Sequence, residues 1–146
     1  MYQERDGDLF QSGSHALVNT VNCVGIMGKG IALTFKQRYP TMFARYVQDC
    51  RQGLYVPGTV MWHRNAEDLR ILNFVVKDHW CNPSRYEWVE SCLIAFVEGY
   101  ERHGIQSAAF PWIGAMNGQL DFHRVQAMMR HHLRPLPIPI TVYTFK

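Results

Sequence analysis

The sequence lacks a long apolar run and has a low proportion of charged residues. Charged residues make up 18% of the 146 positions and hydrophobic residues 47%, which is a globular composition. A helix that spans a bilayer needs about 20 consecutive apolar residues, and no segment approaches this length. The first residues, MYQERDGDLF, carry charges where a secretory signal has an apolar core. We therefore expect a cytoplasmic protein without a membrane partner, folded as one domain over residues 1–146.

The spacings of metal sites and disulfide frameworks are also missing. The four cysteines form no CxxC pair, so we expect reduced thiols, with Cys23 in a packing role. His131 and His132 are adjacent on a predicted helix and point about 100° apart, which does not suit a shared metal. No HExxH motif is present. We expect neither a metal nor another cofactor.

Positive charge is not clustered along the chain. The formal net charge is +3 and the isoelectric point is about 8.7, with basic residues distributed over the whole sequence. This mild basicity is compatible with an anionic ligand. By itself it does not indicate nucleic-acid binding, for which a domain pI above about 9 with clustered charge is usual.

The sequence contains neither GxGxxG, the dinucleotide-binding fingerprint, nor GxSxG, the nucleophile elbow of hydrolases. The segment that most resembles a Walker A loop has no Ser or Thr after Lys29 to bind Mg²⁺. What is present is ALVNTVNCVGIMGKGIAL, residues 16–33. An apolar run carries Asn19 and Asn22, and glycines 25, 28 and 30 precede a helical pattern. This strand–turn–helix segment either presents backbone N–H groups to a phosphate, with asparagine orienting a sugar hydroxyl or a water, or is an ordinary tight turn.

Apolar periodicity and turn residues predict alternating strands and helices after Ser14, which favours an α/β layered domain. The expected strands are residues 2–5, 15–21, 59–63, 69–76, 106–110 and 140–145. The expected helices are 29–38, 42–51 capped by Thr41, a third from its cap Ser84 to residue 102, and 122–133 capped by Asp121. Because ligands of such folds bind at the carboxyl ends of strands, we expect residues 22–30, 77–80 and 114–118 to meet in one cleft.

Several single residues allow two interpretations. Lys77 follows the apolar run 71–76, and is either a solvated lysine or a partly desolvated amine whose lowered pKa makes it a nucleophile, helped by Lys29. Asp8 either accepts hydrogen bonds from local backbone N–H groups or binds an exocyclic purine amine. Trp80 and Trp112 either pack in the fold or stack on a base.

These segments together resemble the macrodomain family, an ADP-ribose-binding module with three α/β/α layers around a central mixed sheet. The resemblance is carried by GDLF at residues 7–10, VNTVNCVGIMGKGIA at 18–32, Phe35-Lys36, Tyr39-Pro40 and Val142-Tyr143-Thr144. It covers nearly the whole chain. The NTVNCVGxMGKGIA form is similar to the branch with the DarG antitoxin macrodomains and the human terminal ADP-ribose glycohydrolase.

The resemblance implies roles for individual residues. Asn22 and Lys77 are the implied catalytic residues: Asn22 orients the distal ribose, and Lys77 attacks its anomeric carbon, opens the ring and forms a Schiff-base-type adduct that water releases. Asp8 accepts from the adenine amino group, and two backbone segments hold the diphosphate. The implied ligand-binding residues are Asp8, Leu9, Asn19, Gly28, Lys29, Gly30, Ile31, Gly114, Ala115, Met116, Asn117 and Gly118.

The chain departs from the family pattern at two positions. Met116 replaces a glycine beside the diphosphate, where a side chain either narrows the pocket or requires an unfavourable backbone angle. Gly118 lies where the human-type enzyme has an aspartate that assists its lysine. We expect a monomeric, metal-independent glycohydrolase that acts on ADP-ribosylated nucleic acid, specifically thymidine-linked ADP-ribose in single-stranded DNA. The alternatives are a non-catalytic ADP-ribose-binding module, or a hydrolase of protein-linked ADP-ribose or of O-acyl-ADP-ribose.

Overall fold

A computed structural model describes residues 1–145, in which one six-stranded sheet forms the centre of the molecule. The strands are β1 (Tyr2–Asp6), β2 (Ala16–Val21), β3 (Val60–Arg64), β4 (Arg70–Val75), β5 (Ala108–Pro111) and β6 (Ile140–Thr144). Their order is β1-β6-β5-β2-β4-β3. All neighbouring pairs are parallel except β3 and β4, which form an antiparallel pair at one edge. The sheet is therefore mixed, as expected.

Four α-helices cover the two faces of the sheet. They are α1 (Gly30–Arg38), α2 (Pro40–Arg51), α3 (Tyr86–Gly99) and α4 (Phe122–Leu133), and a short 3-10 helix spans Leu9–Gln11. Side chains alternate across β2: Ala16 and Val18 pack in the core beside α3 and α4, whereas Leu17 and Val21 pack in the core beside α1 and α2. This confirms the three-layer α/β/α architecture. No helix among residues 1–145 combines the length and apolarity that crossing a membrane requires.

The predicted helix boundaries were right at one cap and wrong at two. Asp121 caps α4, since its side chain accepts from the backbone N–H of Arg124. Thr41 does not cap α2, because that helix already begins at Pro40, and proline suits the first turn of a helix. Ser84 does not cap α3, whose N-cap is Arg85. Helix α3 also ends at Gly99, three residues before the predicted end at 102.

Three loops leave the carboxyl ends of neighbouring parallel strands. The first glycine loop (residues 22–29) follows β2, the lysine loop (76–85) follows β4, and the second glycine loop (112–120) follows β5. The pairing of β2 with β4 continues into the lysine loop, where the backbone N–H groups of Val76 and Lys77 both donate to the carbonyl of Val21. The strand order β5-β2-β4 thus places all three loops side by side.

Candidate active site

A cavity of about 850 Å³ opens at the carboxyl ends of β2, β4 and β5. The first glycine loop, the start of α1, the lysine loop and the second glycine loop form most of its lining. The structure therefore brings together the three segments that the sequence predicted to meet. Ten of the fourteen predicted site residues line this cavity: Asn22, Gly28, Lys29, Gly30, Ile31, Lys77, Gly114, Met116, Asn117 and Gly118.

The first wall of the cavity presents unpaired backbone N–H groups. Residues 28–31 donate no backbone hydrogen bond to any acceptor within residues 1–145, because they precede or begin α1. Lys29 occupies the N-cap position of α1 with an extended backbone and makes no side-chain cap. The N-terminus of a helix carries a partial positive charge. This wall can therefore bind an anion such as a phosphate.

Asn22 holds the first glycine loop in place. Its Oδ1 accepts from the backbone N–H groups of Val24, at 3.0 Å, and Ile26, at 3.5 Å, and its Nδ2 donates to the carbonyl of Ile26 at 2.8 Å. The hydroxyl of Tyr46, on α2, donates to the same Oδ1 at 2.9 Å. Nδ2 carries two hydrogens, and the second has no acceptor in the described part of the chain. Asn22 thus shapes the loop and retains one donor for a ligand.

The second glycine loop presents another set of unpaired backbone N–H groups. Those of residues 116–118 donate to no acceptor in the part of the chain that the structure describes, whereas Gln119 and Leu120 donate back to the carbonyls of Met116 and Gly114. The loop is tightly packed at Gly118. A Cβ atom there would lie 2.5 Å from the carbonyl oxygen of Gly114 and 2.5 Å from Ser84 Oγ. Only glycine fits this position without moving the loop.

The two glycine loops approach each other directly. Gly30 has φ +61°, and a Cβ atom at this residue would lie 2.6 Å from Asn117 Nδ2. The two sets of free N–H groups therefore line one cavity from two sides, an arrangement that suits two adjacent phosphates.

Lys77 links the lysine loop to the second glycine loop. Its Nζ donates to the carbonyl of Asn117 at 2.8 Å and to the carbonyl of Trp80 at 3.3 Å. Burial lowers the pKa of the Lys77 amine, and the positive charge of Lys29 lowers it further, while Cys81 opposes these effects. Both causes favour the neutral amine, which is the nucleophilic form. The structure thus gives Lys77 the partly desolvated setting that the sequence left open.

Cys23 has the packing role that the sequence predicted. Its thiol donates to the carbonyl of Lys77 at 3.4 Å, and burial raises the pKa of the thiol to about 11. The thiolate is therefore strongly disfavoured at neutral pH. No group of three or more His, Cys, Asp or Glu side chains that could hold a metal occurs among residues 1–145.

Four predicted ligand-binding residues lie outside the cavity lining: Asp8, Leu9, Asn19 and Ala115. Leu9 and Asn19 are fully buried. Asn19 Nδ2 donates to Asn73 Oδ1 on the neighbouring strand at 3.2 Å, so its carboxamide faces the core beside α1 and α2. Asp8 caps the 3-10 helix by accepting from the backbone N–H of Phe10 at 2.9 Å, which is the local turn role considered for it.

Met116 does not have the unfavourable backbone angle that was one of the two effects considered for it. Its side chain is 78% exposed and lies at the mouth of the cavity. Within residues 1–145 the non-glycine residues with positive φ are Asp68 and Gln119, so Met116 has an ordinary backbone conformation. The left-handed conformation of this loop falls instead on Gly114 and Gln119, with φ +77° and +65°.

Sequence reasoning missed Ser84 and Tyr46. Ser84 was assigned a capping role, but it lines the cavity and is only 4% exposed. Its hydroxyl has no hydrogen-bond partner within residues 1–145, while its backbone N–H donates to the carbonyl of Gly118 at 2.9 Å. Tyr46 acts through Asn22, which is 24 residues away. Neither position has a local sequence signal, because both roles arise from contacts between distant segments.

Comparisons with known proteins agree with this fold. The model of the Macro domain family matches residues 18–129. The chain is 40% identical over 134 residues to the DNA ADP-ribosyl glycohydrolase of Mycobacterium tuberculosis (strain ATCC 25618 / H37Rv), a match that covers 90% of this chain and 38% of that protein. The chain thus spans about two fifths of the length of the curated relatives that it matches over most of its own length.

Two solved structures extend this likeness to three dimensions. The macrodomain of Mycobacterium tuberculosis DarG has a TM-score of 0.94 and 37% identity, covering 98% of this chain and 97% of that one. Thermosipho africanus DarTG, solved in complex with ADP-ribose, has a TM-score of 0.89 and 32% identity, covering 96% of this chain and 40% of that one. The family match, the identity and the shared fold lead to one conclusion: this chain belongs to the macro domain family.

Proposed function

We propose that this chain is an ADP-ribosyl glycohydrolase that releases ADP-ribose from modified DNA, with thymidine in single-stranded DNA as the linked group and Lys77 as the nucleophile. The observation that carries the proposal is the position of Lys77 Nζ. It lies in a cavity with two sets of unpaired backbone N–H groups and donates to carbonyls of the lysine loop and the second glycine loop. Relatives named DNA ADP-ribosyl glycohydrolase support the same reaction class.

In this proposal the cavity binds ADP-ribose through its phosphates. The unpaired N–H groups of residues 28–31 and 116–118 donate to the diphosphate, and Lys29 adds a positive charge. The remaining N–H of Asn22 Nδ2 donates to a hydroxyl of the distal ribose. Asp8 keeps one carboxylate oxygen without a partner among the described residues, and this oxygen accepts from the adenine amino group. Asn19 supports the first glycine loop from the core, since its Nδ2 donates to Met27 Sδ at 3.8 Å.

The hydrogen bonds of Lys77 are compatible with a nucleophilic amine. A protonated lysine has three N–H donors, whereas the neutral amine has two donors and one lone pair. The two carbonyls, of Trp80 and Asn117, accept both N–H bonds of the neutral form. The lone pair is then the only position left on the nitrogen. The lowered pKa of Lys77 increases the fraction of this form at neutral pH.

The reaction consumes one water and needs no redox step. The lone pair of Nζ forms a bond to the anomeric carbon of the distal ribose, and the bond from that carbon to the thymine nitrogen breaks. The base leaves with the bonding pair and takes up the proton that Nζ releases. The nitrogen lone pair then opens the ribose ring to give a Schiff base, with a proton moving to the ring oxygen. Water adds to the carbon, the lysine amine leaves, and the sugar closes as ADP-ribose.

The experiment that tests this proposal combines turnover with trapping. The protein is incubated with ADP-ribosylated single-stranded DNA in the presence of cyanoborohydride, which reduces a Schiff base to a stable amine. We expect a covalent ADP-ribosyl adduct on Lys77 by mass spectrometry. Lys77→Ala should lose both the adduct and the release of ADP-ribose. Lys36→Ala, which removes a lysine outside the cavity lining, serves as the control and should retain both.

Two further measurements distinguish the alternatives. Calorimetry of Lys77→Ala with ADP-ribose should give an affinity close to that of the wild type if the lysine acts chemically. Binding without turnover by the wild type would instead identify a non-catalytic binding module. Release from glutamate-linked ADP-ribose or from O-acyl-ADP-ribose, with none from DNA, would move the substrate to the other hydrolase class.

A further inference from the structure

Four large apolar side chains of the cavity lining are exposed, namely Ile26, Trp80, Met116 and Phe145, and the most exposed of them are Trp80 and Met116. Trp80 is 52% exposed and Met116 is 78% exposed, and both line the cavity. One belongs to the lysine loop and the other to the second glycine loop. Large apolar side chains exposed together at a cavity frequently mark a contact with a ligand.

The backbones that carry these two side chains lie next to the proposed nucleophile in space. Lys77 Nζ donates to the carbonyl of Trp80 itself, at 3.3 Å, and to the carbonyl of Asn117, the residue that follows Met116, at 2.8 Å. The nitrogen is therefore bracketed by the backbones of the two loops that carry the exposed side chains. Any group bonded to the carbon that Nζ attacks must come close to these loops, because reacting atoms are about 3–3.5 Å apart at the start of a reaction.

The structure distinguishes Trp80 from the other tryptophan of the cavity. Trp112 is only 7% exposed, its Nε1 donates to Thr144 Oγ1 at 2.9 Å, and its ring packs edge-on against Phe122. Trp112 is thus a packed wall of the cavity. The indole of Trp80 contacts the tilted ring of His79 at 5.5 Å between centroids and otherwise extends towards solvent. Of the two tryptophans, only Trp80 offers an exposed aromatic surface. Phe145 is a further exposed ring of the lining, but it follows β6, which lies three strands away from β4 and its lysine loop.

We propose that Trp80 and Met116 form the subsite for the leaving nucleobase, and that this subsite favours nucleobase-linked over carboxylate-linked ADP-ribose. The inference rests on the proposed function and names the part of the substrate that the apolar mouth recognises. A nucleobase is planar and stacks on indole, which is worth about 1–3 kcal/mol per base. The flexible thioether of methionine adapts to the edge or face of an aromatic ring. A carboxylate leaving group has no such surface and gains nothing from either side chain.

The test compares affinities for ADP-ribosyl-thymidine and for free ADP-ribose, together with turnover of a thymidine-linked oligonucleotide. Trp80→Ala should lower kcat/KM on the oligonucleotide by roughly 5-fold to 100-fold, which corresponds to the stacking energy above. The dissociation constant of free ADP-ribose should stay within about twofold of the wild type. Trp80→Phe keeps a planar ring and should recover most of the loss. Met116→Gly should also lower kcat/KM on the oligonucleotide, by a smaller factor than Trp80→Ala. The control is Leu54→Ala, which truncates an exposed apolar residue outside the cavity lining and should leave kcat/KM unchanged.

The outcomes separate this inference from the proposed function. If the wild type does not hydrolyse the oligonucleotide, the proposed function is wrong, and the affinities still test the subsite. If the nucleobase subsite exists, the wild type binds ADP-ribosyl-thymidine more tightly than ADP-ribose. Trp80→Ala should then abolish this difference in affinity. Equal wild-type affinities for the two ligands would overturn the subsite. An equal loss of affinity for both ligands in Trp80→Ala would overturn it as well, because the residue would then serve the pocket in general.

Discussion

The most sharply defined perturbation is Gly118→Ala in the second glycine loop. The added Cβ would lie 2.5 Å from the carbonyl oxygen of Gly114, 2.5 Å from Ser84 Oγ and 2.7 Å from Gly114 Cα. Favourable separations between such atoms are about 3.5–4.0 Å, so the loop must move by roughly 1 Å. Two of the three atoms belong to backbone, which cannot rotate away as a side chain can. We therefore expect the free energy of unfolding to fall by about 1–3 kcal/mol, the usual cost of overpacking.

The same movement should weaken binding of ADP-ribose. The unpaired N–H groups of residues 116–118 belong to the segment that must shift, and each hydrogen bond to a charged group contributes about 1.5–3 kcal/mol. Loss of one such bond raises the dissociation constant roughly 10-fold to 100-fold. Calorimetric titration with ADP-ribose measures this effect. Thermal unfolding reports the stability loss, as a decrease in Tm of roughly 2–10 °C.

Gly13→Ala is the matched control, because it separates stability from binding. Gly13 has φ +71°, so alanine is strained there, but nothing lies within 4 Å of the added Cβ. The conformational cost is about 1 kcal/mol, similar to the lower bound for Gly118→Ala. Gly13 lies outside the cavity lining, so affinity for ADP-ribose should not change. If Gly118→Ala weakens ADP-ribose binding no more than Gly13→Ala does, the second glycine loop does not hold the diphosphate and the reasoning is refuted.

Three further predictions follow from charges and buried hydroxyls. Lys29→Gln removes a cation that lowers the pKa of Lys77, so the pKa of Lys77 should rise in this variant. The ascending limb of the plot of kcat against pH should then move to higher pH. An unchanged pH profile would contradict the electrostatic effect of Lys29 on Lys77. Tyr46→Phe removes the hydrogen bond to Asn22, so it should lower the free energy of unfolding by about 1–2 kcal/mol and weaken ADP-ribose binding. Tyr55→Phe removes a buried hydrogen bond away from the site loops and should lower stability alone. Equal losses of affinity in the two variants would contradict this role of Tyr46. Arg130, on α4, holds the pKa of Glu4 at about 2, below its usual 4.5. The ionised carboxylate of Glu4 therefore stabilises the fold above about pH 4.5 and loses this effect as pH falls towards 2. Glu4→Gln should therefore lower the free energy of unfolding at pH 7 by up to about 1 kcal/mol and make no difference near pH 2, and a loss equal at both pH values would contradict it.

The parts of the fold that the sequence predicted are those with local signals. Alternating or continuous apolar runs located all six strands, and the glycines and proline marked the turns around α1 and α2. The convergence of three loops followed from a general property of parallel sheets, whose ligands bind at the carboxyl ends of strands. The capping prediction was right for Asp121, whose carboxylate accepts a hydrogen bond from the first turn of α4. It was wrong for Ser84, because tertiary packing against Gly118 overrides its local preference.

The details of the site could not be predicted, because they depend on side chains that meet across the fold. Asn19 and Asn22 looked equivalent at the end of one apolar run. The pleat of β2 turns Asn19 into the core, where it bonds to Asn73, whereas Asn22 follows the strand and reaches the cavity. The exposure of Met116 likewise depends on which residues of its loop adopt positive φ. Spacing along the chain contains no information on either point.

In the loops around the cavity, several backbone carbonyls accept hydrogen bonds, whereas many backbone N–H groups have no acceptor among residues 1–145. Their carbonyls take part in the bonds that hold the loops: Asn22 Nδ2 donates to Ile26, Lys77 Nζ to Asn117, and the backbone N–H of Ser84 to Gly118. The N–H groups of residues 28–31 and 116–118 remain without acceptors among residues 1–145. A cavity whose carbonyls are engaged and whose N–H groups are free favours an acceptor-rich anion over a neutral ligand.

Adenosine, which lacks the phosphates, should therefore bind far more weakly than ADP-ribose in the same calorimetric titration. Comparable affinities would mean that the nucleoside, and not the diphosphate, supplies the binding energy of this site.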